Sequence, residues 1–407
     1  MCYTQNRFNA LISACVMSLI ATAGWSQSLT WLGTLTGYDR SYAFGVSADG
    51  TVVVGRAENA AGQFRAFRWT ASGGMQNLGT WSGGYDSLAD GVSANGAVVV
   101  GWAYNAAWQG RAFRWTASGG MQGLGTLGGT WSWARGVSAD GAVVVGWSAI
   151  AAGQAGRAFR WQNGVMQDLG TLGGNFSGAN GVSADGAVVV GMAYNTAGQQ
   201  RAFRWQNGVM QDLGTLGGNR SEALGVSADG AVVVGRAENA AGQWLAFRWT
   251  ASGGMQGLGT LGGNSSETFG VSADGSVVVG RAENADRQGR AFRWTASRGR
   301  EDLNTTYASL LTNGSVLWSA FAISPDGRYI VGSGYNAATN RDEAFLLDTG
   351  FPRRGDVDRN GCVDDADLLQ VLFAFGGRGY RNEDLNWDGT IDDADLLQVL
   401  FNFGSGC

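Results

Sequence analysis

Short hydrophobic runs alternate with glycine-rich turns from residue 28 to residue 349, and the alternation repeats at a fixed period. Such self-similarity predicts the architecture of a whole region. The phrase Gly-Val-Ser-Ala-Asp-Gly, or a close variant, returns seven times at spacings of 44 to 52 residues. This spacing is close to the length of one four-stranded propeller blade. The acidic or amide residue of the phrase falls at Asp49, Asn95, Asp140, Asp185, Asp229, Asp274 and Asp326.

Each repeat divides into four strand signals separated by turns. In the second copy these signals cover residues 89–93, 97–102, 111–115 and 121–127, which are rich in β-branched and aromatic side chains. The Asp-Gly or Asn-Gly pair between the first two signals suits a tight hairpin, because these residues tolerate positive φ angles. Each repeat therefore predicts one antiparallel blade.

The two ends of the repeat region are out of phase with the blades. The fourth-strand pattern occurs once before the first hairpin phrase, at residues 29–35, and no copy follows the seventh phrase. We therefore predict an all-β, seven-bladed β-propeller over residues 28–349, in which the N-terminal strand completes the last blade. This arrangement closes the ring and hides the sheet edges. A β-solenoid with two turns per repeat is the alternative, but it gives no reason for the offset.

The motif Arg-Ala-Phe-Arg-Trp marks the third strand of most repeats. Its first copy places Phe67 and Trp69 on one side of the strand and Ala66 and Arg68 on the other, which fits packing between blades. The tryptophans of this motif are therefore predicted core residues, and the hairpin acids are predicted turn residues paired with Arg68 and its equivalents. The tryptophans are Trp69, Trp115, Trp161, Trp205, Trp249 and Trp294.

Variation between repeats concentrates in two connections, the one after the second strand and the one after the fourth. In an up-and-down blade both connections leave on the same face, so they share one rim, and binding residues concentrate on loops of this kind. Aromatic side chains there could form a platform for sugars, or they could simply cover glycine-rich loops. The predicted rim residues are Trp81, Tyr85, Trp108, Trp131, Trp133 and Trp244, together with Tyr38.

The composition excludes much catalytic chemistry, because the 407 residues include no histidine and no lysine. Ser-His-Asp and Cys-His systems, histidine-ligated zinc and lysine Schiff bases all require those side chains. We therefore predict no catalytic residues. The alternative is an extracellular enzyme of polysaccharide breakdown that uses two carboxylates, for which Asp86, Glu222 and Glu267 are the candidates in the variable loops.

The first 26 residues have the pattern of a signal peptide, with one arginine followed by a short hydrophobic run. Cleavage after Ala23 or after Ser26 fits the pattern, and a lipid anchor on Cys15 is a further alternative. Loss of this leader would leave Cys362 and Cys407 as the cysteines of an exported chain, a pair that is most simply explained as a disulfide.

Two twelve-residue segments near the C-terminus, residues 356–367 and 384–395, have the pattern of calcium-binding loops. Such a loop supplies oxygen ligands from positions 1, 3, 5, 7, 9 and 12 and carries glycine at position 6. The chain from residue 356 onward holds 11 acids and 3 arginines, so its net charge of −8 belongs to these loops. The predicted ligands of two Ca²⁺ ions are Asp356, Asp358, Asn360, Cys362, Asp364 and Asp367, then Asp384, Asn386, Asp388, Thr390, Asp392 and Asp395.

Residues 28–349 resemble the HAF-repeat family of probable extracellular repeat proteins. The family's His-Ala-Phe tripeptide has arginine in the first position here, for example at Arg65, Arg111 and Arg157. The resemblance implies export and a repeat architecture, and it implies no reaction.

After a linker at residues 350–355, residues 356–407 resemble a type I dockerin, in which a helix follows each of two calcium loops. The resemblance implies helices at residues 367–375 and 395–403 and a cohesin-type partner on a scaffold or cell surface. It places partner choice at Asp365 and Ala366, and at Asp393 and Ala394. Because both halves carry the same DDADLLQVLF sequence, two binding orientations are expected.

The dockerin-like fold also brings the end of the second helix beside the first loop, which predicts a Cys362–Cys407 disulfide. The chain is therefore predicted to be a secreted, non-catalytic repeat protein that displays a binding surface, with polysaccharide as the candidate ligand, and is attached through its calcium-dependent tail. A structural cell-surface protein without a cohesin partner is the remaining alternative. Nothing in the charge pattern indicates nucleic-acid binding.

Overall fold

A computed structural model describes residues 27–81, 83–151 and 155–407. The predicted signal peptide at residues 1–26 lies outside these ranges. Residues 28–348 form seven four-stranded antiparallel sheets, which together make the predicted seven-bladed β-propeller. A small helical part follows at the C-terminus.

The strands follow the repeats in sequence order. The first three blades begin after the N-terminal strand β1 (Ser28–Trp31), and their strands are β2 (Arg40–Val46), β3 (Val52–Glu58), β4 (Phe64–Thr70), β5 (Gly74–Asn77), β6 (Ser87–Val92), β7 (Val99–Tyr104), β8 (Gly110–Thr116), β9 (Gly120–Gly123), β10 (Gly128–Val137), β11 (Val143–Ile150), β12 (Gly156–Gln162) and β13 (Val165–Asp168). The next two blades comprise β14 (Gly173–Val182), β15 (Val188–Asn195), β16 (Gln200–Gln206), β17 (Val209–Asp212), β18 (Gly217–Val226), β19 (Val232–Asn239), β20 (Trp244–Thr250) and β21 (Gly254–Gly259). The last two contain β22 (Gly262–Val271), β23 (Val277–Asn284), β24 (Gly289–Thr295), β25 (Gly299–Asp302), β26 (Val316–Ile323), β27 (Tyr329–Asn336) and β28 (Arg341–Asp348).

The N-terminal strand completes the last blade, as predicted. The sheet order is β1-β28-β27-β26, and β1 pairs antiparallel with β28 from Ser28 opposite Asp348 to Trp31 opposite Phe345. The strand is shorter than the predicted segment, because the chain leaves the sheet after Trp31. The two ends of the propeller are therefore joined by main-chain hydrogen bonds.

The core lies between neighbouring blades. The phenylalanine of the third strand is fully buried in every blade, and valines and alanines of the neighbouring blade pack around it. The tryptophan prediction holds in part: Trp115, Trp205 and Trp249 are buried, whereas their equivalents in three other blades remain partly exposed. The phenylalanines are Phe67, Phe113, Phe159, Phe203, Phe247, Phe292 and Phe345.

In six of the seven blades, a buried serine of the innermost strand links neighbouring blades by hydrogen bonds. Ser177 accepts a hydrogen bond from the Ala158 amide at 2.9 Å and donates one to the Gly170 carbonyl. At the ring closure, Ser41 accepts from the Ala344 amide at 2.8 Å and donates to the Gly33 carbonyl at 2.6 Å. The same serine position therefore joins consecutive blades and the two ends of the ring.

The hairpin acids have a different role from the predicted pairing with arginines. Asp140, for example, accepts hydrogen bonds from Ser138 at 2.5 Å and from the Ala142 amide at 2.9 Å within its own turn. Arg114, an equivalent of Arg68, donates instead to the carbonyl of Gly141 in the next blade's hairpin, at 3.3 Å. The acids therefore cap their own turns, while the arginines hold neighbouring hairpins together.

The hairpins also form a ring of hydrogen bonds around the propeller axis. The alanine amide of each turn donates to the alanine carbonyl of the next, beginning with Ala48 to Ala94 at 2.8 Å. The series ends where Ala273 donates to the Pro325 carbonyl at 2.8 Å. Proline has no amide hydrogen, so Pro325 cannot continue the series to the first blade. We call the face formed by these hairpins the base.

The extra length of the seventh repeat forms a short helix, α1 (Leu303–Thr306), and a turn of 3₁₀ helix at Ala308–Leu310. Asp302 caps α1 by accepting a hydrogen bond from the Asn304 amide at 2.9 Å. Leu303 and Tyr307 are buried against the last blade. Strand β25 therefore ends at Asp302, and the chain continues directly into this helix.

The C-terminal part, residues 356–407, is called the tail. Its helices are α2 (Asp365–Ala374) and α3 (Asp393–Asn402), each beginning two residues before the predicted start because Asp364 and Asp392 form capping boxes. The predicted disulfide joins Cys362 and Cys407, whose Cα atoms are 4.8 Å apart. No helix in the described part of the chain is long and apolar enough to cross a membrane.

Candidate functional sites

The central channel of the propeller is lined by the residue that precedes Gly-Val in each repeat. The residue type at this position varies within an otherwise constant motif. The seven side chains line a cavity of about 320 Å³. Asp90, Arg135 and Asn180 make one side polar, while the other side is apolar. The sequence interpretation considered only variable loops and missed this position, although its variability was visible. The apolar side consists of Phe44, Leu224, Phe269 and Phe321.

Asp90 is held in the channel by the next blade. The indole nitrogen of Trp133 donates a hydrogen bond to Asp90 Oδ2 at 2.9 Å. Burial raises the pKa of Asp90 to about 6, and the positive charge of Arg135 and the bond from Trp133 oppose this increase only in part. The channel therefore contains a carboxyl group that changes charge in mildly acidic solution.

The mouth of the channel opens on the face opposite the base, where the variable loops lie. Aromatic side chains form an arc across its second to fourth blades, beginning with Trp102, whose ring is 4.6 Å from that of Trp133. Stacked and edge-to-face aromatic rings are favourable in protein cores and on ligand platforms alike. The arc continues through Trp133–Trp147 at 6.5 Å, Trp147–Phe176 at 6.3 Å and Phe176–Tyr194 at 6.2 Å.

The opposite side of the mouth carries ion pairs. Arg236 contacts Glu222 of its own blade at 2.9 Å and Glu267 of the next blade at 3.2 Å. Its guanidinium also lies 5.0 Å from the ring centre of Trp244. Glu222 and Glu267 lie in strands β18 and β22, so their predicted position in loops is wrong. The sequence could not show that one arginine brings these two carboxylates together.

Two hydrogen-bond donors at the mouth have no protein partner. The Nε atom of Arg56 and the indole nitrogen of Trp102 are buried, and neither forms a hydrogen bond within the described residues. Both side chains pack against Phe64, whose ring centre is 5.3 Å from the Arg56 guanidinium and 5.5 Å from the Trp102 ring. Buried donors without partners cost free energy, so a ligand or water that accepts from them would be stabilised.

The other predicted rim aromatics lie at the outer edge of the same face. Tyr85 and Trp108 stack at 4.5 Å and are 43% and 54% exposed, and Trp131 is exposed beside them. Trp81 lies 5.6 Å from the Arg111 guanidinium. The structure thus brings five of the six predicted residues to the second and third blades, and it places Trp244 on the ion-paired side.

Asp86, the third candidate carboxylate, lies apart from the Glu222 and Glu267 pair and holds a loop. Its Oδ1 atom accepts a hydrogen bond from the Phe64 amide at 3.0 Å and lies 3.6 Å from Arg65. These contacts explain Asp86 as a structural residue of the connection between the first two blades.

The two acidic loops of the tail could hold metal ions. Carboxylate oxygens of Asp356, Asp358 and Asp367 lie within 4.8 Å of one another, and Oδ1 of Asp356 is buried without a hydrogen-bond partner among the described residues. In the second loop, burial raises the pKa of Asp384 to about 7, and the charges of Asp395 and Asp388 add to the increase. A bound cation would satisfy the orphaned oxygen and neutralise these charges.

The loop backbone also fits this interpretation. Gly361 and Gly389, at position 6 of the two loops, have φ angles of 95° and 91°, which favour glycine. An all-oxygen donor set of carboxylates, amide and main-chain carbonyl groups suits a hard cation such as Ca²⁺. The remaining predicted ligands lie in these same loops, and Cys362 could offer a metal ion only its main-chain carbonyl because its sulfur forms the disulfide.

The tail helices expose matching hydrophobic side chains. Phe373 on α2 and Phe401 on α3 are 86% and 82% exposed. The predicted partner-contact residues Asp365, Ala366, Asp393 and Ala394 are exposed at the beginning of the two helices. Neighbouring exposed residues of the same helices are Leu369, Leu372, Leu397 and Leu400.

Comparison with solved structures finds β-propellers that are similar in fold and have low sequence identity to this chain. Oligogalacturonate lyase from Vibrio parahaemolyticus is similar over 80% of this chain and 94% of that chain, at 9% identity and a TM-score of 0.51. TolB from Acinetobacter baumannii matches 78% of this chain at 11% identity and a TM-score of 0.42, and the chain spans 64% of its length. The β-propeller domain of the Trilobed protease from Pyrococcus furiosus matches 63% of this chain and 82% of that chain, at 12% identity and a TM-score of 0.45.

No protein-family model matches the chain. No curated protein matches it in sequence either. At these identities, likeness to the solved structures extends to the fold alone. The comparisons and the geometry together establish a seven-bladed β-propeller with a small helical tail that contains acidic clusters suited to a metal ion.

Proposed function

We propose that the protein is an exported, non-catalytic binding module, in which the propeller mouth binds a carbohydrate and the tail attaches the module to a partner. The observation that carries the first part is the composition of the mouth, where an aromatic arc faces a wall of ion-paired arginine and glutamate side chains. Sugar rings stack on aromatic faces, and their hydroxyl groups can both donate and accept hydrogen bonds. The arginine and glutamate side chains of the ion-paired wall could form such hydrogen bonds.

Two features favour binding over turnover. Glu222 and Glu267 both form ion pairs with Arg236, so the two candidate carboxylates are engaged in a structural contact between neighbouring blades. The chain also lacks histidine and lysine. The resemblance of the repeats to the HAF-repeat family is consistent with export, and so is the disulfide of the tail.

The second part of the proposal concerns the tail. Two Ca²⁺ ions would be held by the loops at residues 356–367 and 384–395, with side-chain or main-chain oxygens at the six predicted positions of each loop. The ions would supply structural charge neutralisation, and they would hold α2 and α3 in place. The exposed faces around Phe373 and Phe401 would then bind a cohesin-type domain.

A reciprocal set of variants tests both parts. Trp147→Ala with Phe176→Ala should weaken binding of the protein to a panel of immobilised polysaccharides, because two partly exposed rings in the middle of the aromatic arc are removed. Phe373→Ala with Phe401→Ala should leave that binding unchanged but abolish calcium-dependent capture of a cell-surface or scaffold protein from the source organism. Each pair serves as the control for the other.

Three results would contradict the proposal. Release of reducing sugars by the wild-type protein would make it an enzyme. Unchanged polysaccharide binding in the Trp147 and Phe176 variant, or failure of the wild-type protein to bind any polysaccharide, would reject the role of the mouth. Capture that persists in a calcium chelator would reject the calcium-dependent attachment.

A further inference from the structure

The tail packs against the base of the propeller through its two acidic loops. Trp387 of the second loop is 6% exposed and lies among the hairpin alanines Ala48 and Ala273, with Ala94 and Ala228 beside them. These alanines belong to the hydrogen-bonded ring around the axis. The indole therefore covers the end of the channel that is opposite the mouth.

The first loop makes the corresponding polar contact. Arg359 donates to Asp274 Oδ2 at 2.6 Å and to the Ser276 hydroxyl at 3.2 Å. The linker adds Arg354, which donates to the Asp49 carbonyl at 3.2 Å and to the Tyr329 hydroxyl at 3.3 Å. Basic side chains of the linker and first loop thus meet acidic hairpins of the base.

Arg359 and Trp387 occupy the same position in the two loops, position 4 of the twelve. Both adopt a left-handed backbone conformation, with φ angles of 60° and 59°. A residue without glycine's freedom takes this conformation only when its surroundings fix it. Position 4 lies between ligand positions 3 and 5 and supplies no ligand itself, so its side chain is directed by the way the loop folds around its ion.

Electrostatics connect the same loops to the base. Tyr380, which stacks on Trp387 at 6.3 Å, is close to carboxylates of both parts. Its hydroxyl group interacts electrostatically with Asp140 of the base and with Asp384 of the second loop. Without bound cations the acidic loops and the acidic hairpins would repel each other, and two divalent ions would remove most of that repulsion.

The contact is made at a few specific points. A cavity of about 600 Å³ remains beside it, between the linker, the tail and the base. An interface of this kind, which lacks continuous packing, can open when its anchoring residues lose their positions.

We infer that calcium binding by the two loops clamps the tail onto the base, through Arg359 and Trp387, and thereby closes the lower end of the channel. This inference rests on the proposed calcium sites, but it does not depend on any partner or carbohydrate. The clamp would hold the exposed helices in a fixed direction relative to the channel mouth.

Tryptic cleavage of the linker tests the clamp in the full chain. Arg354 is engaged with the base when the tail is docked, and both cysteines of the disulfide lie beyond it, so cleavage after Arg353 or Arg354 separates the tail from the propeller. In calcium the wild-type linker should be protected, and a chelator should abolish the protection. Calorimetry with Ca²⁺ on the same samples measures binding independently.

The decisive variant carries Arg359→Ala and Trp387→Ala. It should bind Ca²⁺ as the wild type does, because position 4 is not a ligand, yet its linker should be cleaved rapidly even in calcium. The matched control carries Arg378→Ala and Phe373→Ala, which also removes one arginine and one aromatic residue from the tail. Both control positions are exposed, so the control should keep the protection seen in the wild type.

The outcomes separate the inference from the proposed function. A linker that stays protected in the chelator, or in the Arg359 and Trp387 variant with calcium bound, would overturn the clamp while leaving the calcium sites intact. Absence of Ca²⁺ binding in calorimetry would reject the calcium sites themselves. Small-angle scattering measures the radius of gyration of the protein. A radius of gyration that increases on chelation in the wild type, but is already larger in the variant with calcium bound, would support the clamp.

Discussion

Trp133 donates its indole N–H to Asp90 across 2.9 Å, although the two residues lie 43 positions apart and on neighbouring blades. This bond fixes the orientation of a carboxyl group inside the channel and an aromatic ring at its mouth. The geometry of the mouth and the charge state of the channel therefore involve the same pair of side chains.

The raised pKa of Asp90 predicts a defined pH dependence of stability. The folded value is about 6, above the ordinary 3.8, so the folded state binds the proton more tightly than the unfolded state. The contribution is fully present below pH 3.8 and is lost as the pH rises to about 6. Urea unfolding between pH 4 and pH 7 should show that Asp90→Asn lacks this decrease, whereas Asp140→Asn in a hairpin of the base keeps it. Parallel profiles for the wild type and Asp90→Asn would reject the assignment.

Arg236 is expected to stabilise the contact between the fifth and sixth blades. Arg236→Met leaves Glu222 and Glu267 without their shared counter-ion, and we expect a loss of about 1 kcal/mol in the free energy of unfolding, since the arginine is partly exposed. Adding Glu222→Gln and Glu267→Gln to this variant should recover most of the loss. A double-mutant cycle by urea unfolding measures the coupling, and additive effects would show that the ion pairs contribute nothing.

Ser41→Ala and Ser177→Ala should have similar effects on stability and different effects on the chain termini. Each substitution leaves a buried amide and a partly buried carbonyl without their partner, which costs about 1–3 kcal/mol. Only Ser41 holds the junction of the first and last blades, so only Ser41→Ala should expose residues 28–35 to proteases. The exposed Ser297→Ala variant serves as the control, and equal protection of the N-terminal segment in all three variants would contradict the prediction.

The disulfide should stabilise the tail by about 4 kcal/mol in the chain-entropy estimate for its sequence separation of 45 residues. Cys407→Ser and Cys362→Ser should therefore lower the unfolding temperature of the tail equally, and the double variant should be no worse than either. Calorimetric unfolding in saturating calcium checks this, with the oxidised and reduced wild type as reference. Free thiols at both positions in mass spectrometry of the oxidised protein would contradict it.

The closed ring could be predicted from the sequence because the repeats begin with an unmatched fourth strand and end without one. An unmatched fourth strand at residues 29–35 could be satisfied only by pairing with the last repeat, and β1 pairs with β28. The Cys362–Cys407 disulfide was also predicted, because the resemblance of residues 356–407 to a dockerin implied that Cys407 lies beside the first loop. These features depend on local pattern and chain order.

The contacts between side chains in the channel and at its mouth could not be predicted from the sequence. Trp133 reaches Asp90 of the preceding blade, and Arg236 reaches Glu267 of the following one, so each contact depends on how far neighbouring blades are rotated. Contacts of Arg68 equivalents with glycine carbonyls were missed for a related reason, because a main-chain acceptor leaves no trace in the sequence. The docking of Trp387 on the base required both domains to be placed together.

The ring of hairpin hydrogen bonds is interrupted at Pro325. Its carbonyl accepts a hydrogen bond from the Ala273 amide, but proline has no amide hydrogen to donate to the Ala48 carbonyl. The same junction is the one that β1 and β28 close from opposite ends of the chain. During synthesis, neighbouring blades can stack as they emerge, but this last junction must wait for residue 348 and then closes the longest loop in the propeller. A ring with one late and less strongly bonded junction should also open there first under force.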